Sequence, residues 1–61
     1  MKIYEKMVKV GSVYENGSDT PTRLTFAGPS GLITVGVEEI DWEKTEWERI
    51  DDCLPCLLVI K

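Results

Sequence analysis

Apolar and polar residues alternate in two stretches near the middle of the chain. In residues 23–27, Leu24 and Phe26 share one parity with a threonine between them, as in a half-buried strand. In residues 32–37, the odd-numbered positions are isoleucine or valine. A Gly-Pro-Ser-Gly sequence at residues 28–31 separates the two stretches and is typical of a tight turn. The pattern therefore predicts a β-hairpin.

Two further strands are predicted towards the ends of the chain. Residues 3–14 are rich in strand-forming side chains, although part of this stretch also fits helical spacing, and Gly11 interrupts it. Asn-Gly and a proline within residues 15–21 predict an exposed loop. Residues 57–60 form a continuous apolar run, which predicts a strand that needs cover on both faces. In a chain this small we expect a second copy to supply part of that cover, so the sequence predicts a homodimer.

The stretch at residues 38–50 fits two different structures. As a helix, it would place Ile40, Trp47 and Ile50 on one stripe, but the middle of that stripe is charged. As a hairpin, it would place Ile40 and Trp42 on one face and bring the two tryptophans together across the strands. We favour the hairpin and keep a short helix as the alternative.

The length of the chain limits the fold and the function. With 61 residues, we expect a single small domain covering residues 1–61. The predicted fold class is mainly β, as a small antiparallel sheet or an SH3-like barrel of roughly four to five short strands. The sequence contains no histidine, which is the commonest general base in enzymes. We therefore do not expect this chain to be an enzyme.

The excess negative charge of the chain lies in one segment. The net charge is −4, and residues 38–52 contain eight acidic and two basic residues. Such a segment repels phosphate, which disfavours nucleic-acid binding, and attracts basic surfaces. Both tryptophans lie inside it, and tryptophan is common at protein contacts. The alternative interpretation is a solvated face that only keeps a small β protein in solution. The predicted partner-binding residues are Trp42, Glu43, Glu46, Trp47 and Glu48.

Cys53 and Cys56 form the one motif with recognisable chemistry. Two thiols in a Cys-x-x-Cys pair can form half of a zinc site, which a second copy would complete, or a redox-active dithiol. The redox interpretation lacks a following helix to lower a thiol pKa, and the neighbouring aspartates at residues 51–52 would raise it. The third interpretation treats both cysteines as small apolar residues near the core. If the cysteines are only core residues, the protein needs no cofactor. If they form half of a shared metal site, the cofactor is zinc.

The location and the function follow from these patterns. No apolar run approaches the length of a membrane span, and the first residues lack the apolar region of a signal peptide. We therefore expect a cytoplasmic protein with reduced thiols and no membrane partner. The predicted function is a non-catalytic adaptor or regulatory protein that self-associates and contacts a protein partner, one with a basic surface, through its acidic, tryptophan-bearing segment. The alternatives are a thiol protein and, third, a nucleic-acid-binding small barrel.

Overall fold

The computed structural model describes residues 2–61, with only the backbone described at residues 51 and 52. Most of the regular structure is β-strand, and the helices in this part of the chain are short 3-10 turns. None of the described helices is long and apolar enough to cross a membrane. The predicted mainly-β class is therefore confirmed. The elements are β1 (Lys2–Val13), β2 (Arg23–Gly28), β3 (Gly31–Gly36), the 3-10 helices η1 (Val37–Glu39) and η2 (Trp47–Asp52), and β4 (Cys56–Ile60).

The four strands form one antiparallel sheet in the order β3-β2-β1-β4. β1 is long enough to pair with two neighbours: its first half, up to Met7, pairs with β4, and its second half, from Val8, pairs with β2. The register shifts between Tyr4 and Met7, where Lys6 has a φ of 59°. Such an irregularity bends a strand. The sheet is open, with β3 and β4 at its edges, so the small antiparallel sheet is the correct one of the two predicted architectures.

The predicted β2–β3 hairpin is confirmed. Gly28 pairs with Gly31 across a turn made by Pro29 and Ser30. The buried residues of the two strands lie opposite each other in this register. These pairs are Leu24 with Val35, which are both buried, and Phe26 with the partly buried Ile33.

The hydrophobic core combines one face of the sheet with two isoleucines from the acidic segment. Phe26 and Leu58 are fully buried on the sheet side. Ile40 is fully buried and Ile50 is nearly so, and both belong to the same cluster. The acidic segment is therefore attached to the core through Ile40 and Ile50, and Glu43, Glu46 and Glu48 lie between these two attachment points.

The hairpin that we favoured for residues 38–50 is wrong. This stretch contains η1, a turn at residues 42–44 and the beginning of η2, so the short-helix alternative is closer, in 3-10 form. Its internal backbone bonds are short-range turn bonds, and its longer-range pairing is with β4: Asp41 N–H donates to Val59 C=O at 2.8 Å, and Glu46 N–H donates to Leu57 C=O at 3.0 Å. Hydrogen bonding to a sheet edge is thus the physical reason why no second hairpin forms here.

This pairing also changes the expectation for the apolar run at residues 57–60. Val59, which has opposite parity to Leu58 on β4, is only 2% exposed, so both faces of the strand are covered by this chain. The cover that we expected from a second copy is therefore supplied from within, and the apolar run no longer argues for a dimer.

Candidate protein-contact site

Both tryptophans line one shallow depression on the surface. The depression has a volume of about 420 Å³. Trp42 follows η1 and Trp47 is the first residue of η2, so the intervening turn brings them to the same surface. The other lining residues are Lys9, Thr20, Pro21, Leu24, Val37 and Ile50. A hairpin was expected to bring the tryptophans together, and a turn between two 3-10 helices does so instead.

The two tryptophans differ in how they are held. The indole Nε1–H of Trp42 donates to the carbonyl of Val37 at 3.0 Å, which fixes the ring beside η1. Trp42 is 40% exposed and Trp47 is 57% exposed. Two exposed tryptophans beside one depression form a joint apolar patch, and patches of this kind mark contact sites more often than single exposed side chains do. Trp42 is therefore a fixed wall of the depression, and Trp47 offers the larger contact surface.

The three predicted glutamates do not act as one group. One carboxylate oxygen of Glu46 accepts the N–H of Leu57 at 3.0 Å, and the other lies 3.6 Å from a guanidinium nitrogen of Arg49. Glu46 thus helps to hold β4 and is not among the residues that line the depression. Glu43 and Glu48 are exposed near the tryptophans in sequence but do not line the depression either. These two carboxylates therefore contribute charge around the site, not its walls.

Sequence reasoning missed most of the residues that complete the site. Lys9 comes from β1, and Thr20 and Pro21 come from the loop after β1. Leu24 forms the apolar floor together with Val37 and Ile50, and the sequence indicated it only as part of the apolar face of a strand. No local pattern connects these residues, because they meet only when the loop after β1 folds against the acidic segment.

The two cysteines lie in different environments. Cys53 is exposed and ends η2 in a left-handed backbone conformation, with a φ of 57°. Cys56 is buried in β4, and its thiol donates to the carbonyl of Met7 at 3.2 Å. Burial raises the pKa of the Cys56 thiol, the negative charge of Glu46 raises it further, and Arg49 partly offsets both effects. Cys56 therefore ionises less readily than an exposed cysteine and is a packed core residue.

The described side chains do not form a metal site by themselves. Among the described residues, no group of three or more histidine, cysteine, aspartate or glutamate side chains is placed to hold a metal ion. A tetrahedral zinc site needs four ligands. The zinc site shared by Cys53 and Cys56 of two copies therefore stays a prediction that depends on a second chain.

We expect the two thiols to differ strongly in reactivity. At pH 8 with a thiol-specific chromogenic reagent, the exposed Cys53 should react in a fast phase. Cys56 should react at least about tenfold more slowly, because its thiolate is disfavoured and it must be uncovered first. In Cys53→Ser the fast phase should disappear and the slow phase should remain. Two equally fast thiols would contradict the buried position of Cys56.

Comparison of the chain with protein-family models, with curated proteins and with solved structures gave no match. The geometry and charge of the site are therefore what indicate a function. Of the features described above, the convergence of Trp42 and Trp47 over an apolar floor is the one that points to binding.

Proposed function

We propose that this protein is a non-catalytic binding module that captures a basic segment of a partner protein on the depression between Trp42 and Trp47. The observation that carries this proposal is the pairing of two exposed indoles over an apolar floor made by Leu24, Val37 and Ile50. Contact sites in proteins characteristically have large aromatic residues at their centre and charged residues around them.

The charge around the site selects the kind of partner. Glu38, Glu39, Glu43 and Glu48 are exposed in the same segment as the tryptophans, and the chain as a whole carries a net charge of −4. A field of this sign accelerates the approach of a basic surface. Tryptophan faces also attract cations, and arginine is the commoner partner. An arginine-containing peptide segment therefore fits both the walls and the surroundings of the depression.

The alternative functions have less support. A redox dithiol needs a reactive thiolate, whereas the Cys56 sulfur is buried and its pKa is raised. A nucleic-acid platform needs basic residues beside its aromatic residues, whereas Trp42 and Trp47 lie within the acidic segment. Lys9 does line the depression, but it already has an interaction within the chain. These observations favour a protein partner.

Binding at the depression can be measured by the fluorescence of its two tryptophans. They are the two tryptophans of the chain, so any change in indole fluorescence arises at this site. Peptides selected from a random twelve-residue display library against the purified protein would be synthesised and titrated one by one. We expect the selected peptides to be enriched in arginine and to shift the tryptophan emission on binding.

Two sets of variants test separately the aromatic walls of the depression and the negative charge around it. Trp47→Ala should weaken peptide binding about 30-fold or more, since a central aromatic anchor contributes about 2 kcal/mol. Glu43→Gln with Glu48→Gln should weaken it a few-fold at low salt and much less at high salt. Leu54→Ala is the matched control, because Leu54 is exposed and does not line the depression. The proposal is wrong if selected peptides show no basic bias or if Trp47→Ala binds them as the wild type does.

A further inference from the structure

The two edge strands of the sheet, β4 and β3, differ in whether another segment covers them. On β4, residues 39–46 cover the edge, with backbone bonds from Asp41 and Glu46 and with the hydroxyl of Thr45 bonded to Val59. β3 has no such covering segment among the residues that the structure describes. An uncovered edge strand is a template for pairing with another strand. β3 is thus the place where the sheet can be extended.

The hydrogen-bonding groups that point outwards from β3 can be assigned. Gly28 and Gly31 flank a two-residue turn and therefore form a hydrogen-bonded pair, so the bonds to β2 continue at every second residue after Gly31. The N–H and C=O groups of Leu32 and Thr34 must then point to the outer edge. The bond from Gly36 N–H to the Glu39 carboxylate at 3.4 Å agrees with this alternation, since Gly36 has the same parity.

The composition of β3 favours a second copy of the same strand. β3 contains no charged residue and no proline, the two devices that usually protect an edge. Leu32 on this strand is 74% exposed, more than any other large apolar residue described. Two neutral strands pair without like-charge repulsion between their own side chains. The carboxylates near β3, Glu5 beside Leu32 and Glu38 and Glu39 beside Gly36, lie outside the strand itself. β3, which is uncharged and carries an exposed leucine, therefore complements a second copy of β3.

The acidic residues that follow β3 do not oppose this arrangement. Glu38 and Glu39 lie just beyond the C-terminal end of the strand. In an antiparallel pair they approach the Pro29-Ser30 turn of the second copy and stay about one strand length, roughly 20 Å, from its Glu38 and Glu39. At physiological ionic strength charges at this distance are largely screened, because the Debye length is about 8 Å. Glu5, which lies beside the Pro29-Ser30 turn, is exposed, so its charge is screened by solvent and salt.

We propose that two copies of this chain associate through β3, edge to edge and antiparallel, so that their sheets become one continuous sheet. Leu32 of one copy lies opposite Thr34 of the other, and Ile33 lies opposite Ile33. A register shifted by one pair in one direction would place Thr34 opposite Ser30, which lies in the turn and not in a strand. A shift in the other direction, so that Thr34 faces Thr34, would need the outward N–H of Gly36, which Glu39 already occupies. Glu39 therefore sets the register as well as ending the strand.

Sedimentation velocity over a range from micromolar to millimolar concentration tests the association. The wild type should form a dimer, and Leu32→Lys should weaken the dimer at least about tenfold by placing a charge on the edge. Leu54→Lys is the matched control, with the same charge change on another exposed leucine, and should dimerise as the wild type does. Thr34→Pro removes an outward N–H without removing a bond to β2 and should also give monomers. A monomeric wild type, or a dimer that persists in both edge variants, would overturn the proposal.

Engineered disulfides test the register. In a Cys53→Ser background, Ile33→Cys places two sulfur atoms at a directly opposed, non-hydrogen-bonded pair, where Cα atoms lie about 4.5 Å apart and a disulfide fits. Thr34→Cys places them at the pair that would be opposed only in the shifted register. Mild oxidation should cross-link I33C rapidly and T34C slowly, with circular dichroism used to confirm that both variants are folded. Faster cross-linking of T34C would refute the register set by Glu39.

Discussion

Replacing Thr45 with valine is expected to lower the free energy of unfolding by about 2 to 3 kcal/mol. Thr45 is the one buried polar residue among those described, and its hydroxyl makes two hydrogen bonds with the backbone of β4. The Oγ1 atom accepts the N–H of Val59 at 3.0 Å, and the hydroxyl donates to the Val59 carbonyl at 3.3 Å. Valine has nearly the same shape but no hydroxyl, so the buried N–H of Val59 would lose its partner.

The carbonyl of Val59 explains why the expected loss is not larger. It also accepts the N–H of Asp41 at 2.8 Å, so it keeps a hydrogen bond in Thr45→Val. For a domain of this length the total stability is about 3 to 9 kcal/mol, and a loss of 2 to 3 kcal/mol would leave much of the protein unfolded under mild denaturing conditions.

Urea unfolding followed by circular dichroism measures this loss. Thr45→Ser is the matched control, because it keeps the hydroxyl and removes only a methyl group, and it should cost about 1 kcal/mol or less. Hydrogen exchange provides a local readout: the amide of Val59 should exchange faster in Thr45→Val than in Thr45→Ser. Equal stability of the valine and serine variants would show that the hydroxyl does not hold the edge of β4.

Much of the sheet could be predicted from the sequence because its signals are local. The β2–β3 hairpin has alternation in both strands and a glycine-flanked turn between them, and these three signals agree. The run at residues 57–60 likewise predicted β4 within one residue. By contrast, the bend of β1 depends on Lys6 in a left-handed conformation. Lysine carries no particular preference for that conformation, so nothing in the sequence indicates it.

The acidic segment shows why the remaining structure could not be predicted. Both interpretations of residues 38–50 considered contacts within the segment, whereas its backbone and Thr45 bond to β4 some fourteen residues further along the chain. The chemistry of the two tryptophans pointed to a contact site, but most of its other lining residues come from β1, β2 and the loop between them, far away in sequence. Local patterns predict local pairing, and this segment is organised by non-local pairing.

The glycine that begins the β2–β3 turn is needed for packing, not for its backbone conformation. Gly31 has a φ of 116°, which side chains rarely adopt, but Gly28 does not have a positive φ. A Cβ atom at Gly28 would instead overlap with the sulfur of Met7 and approach its methyl carbon to 3.2 Å. These atoms form the flexible end of the Met7 side chain, but Met7 is buried in the core, so it can move aside only against its core neighbours.

Gly28→Ala is therefore expected to lower the free energy of unfolding by about 1 to 3 kcal/mol, the usual cost of overpacking a core. The physical reason is tested by a double-mutant cycle with Met7→Ala, which removes the overlapping sulfur. In that background Gly28→Ala should be neutral or should stabilise by up to about 1 kcal/mol, because alanine reduces the freedom of the unfolded chain.

Gly31→Ala is the matched control for this cycle. An added Cβ at Gly31 meets nothing within 4 Å, so its cost comes from the positive φ alone. That cost, about 1 kcal/mol or more, should be the same with Met7 and with alanine at position 7. If the cost of Gly28→Ala also stayed unchanged without the Met7 side chain, the close approach of β1 to the hairpin turn would not be the reason for glycine at this position.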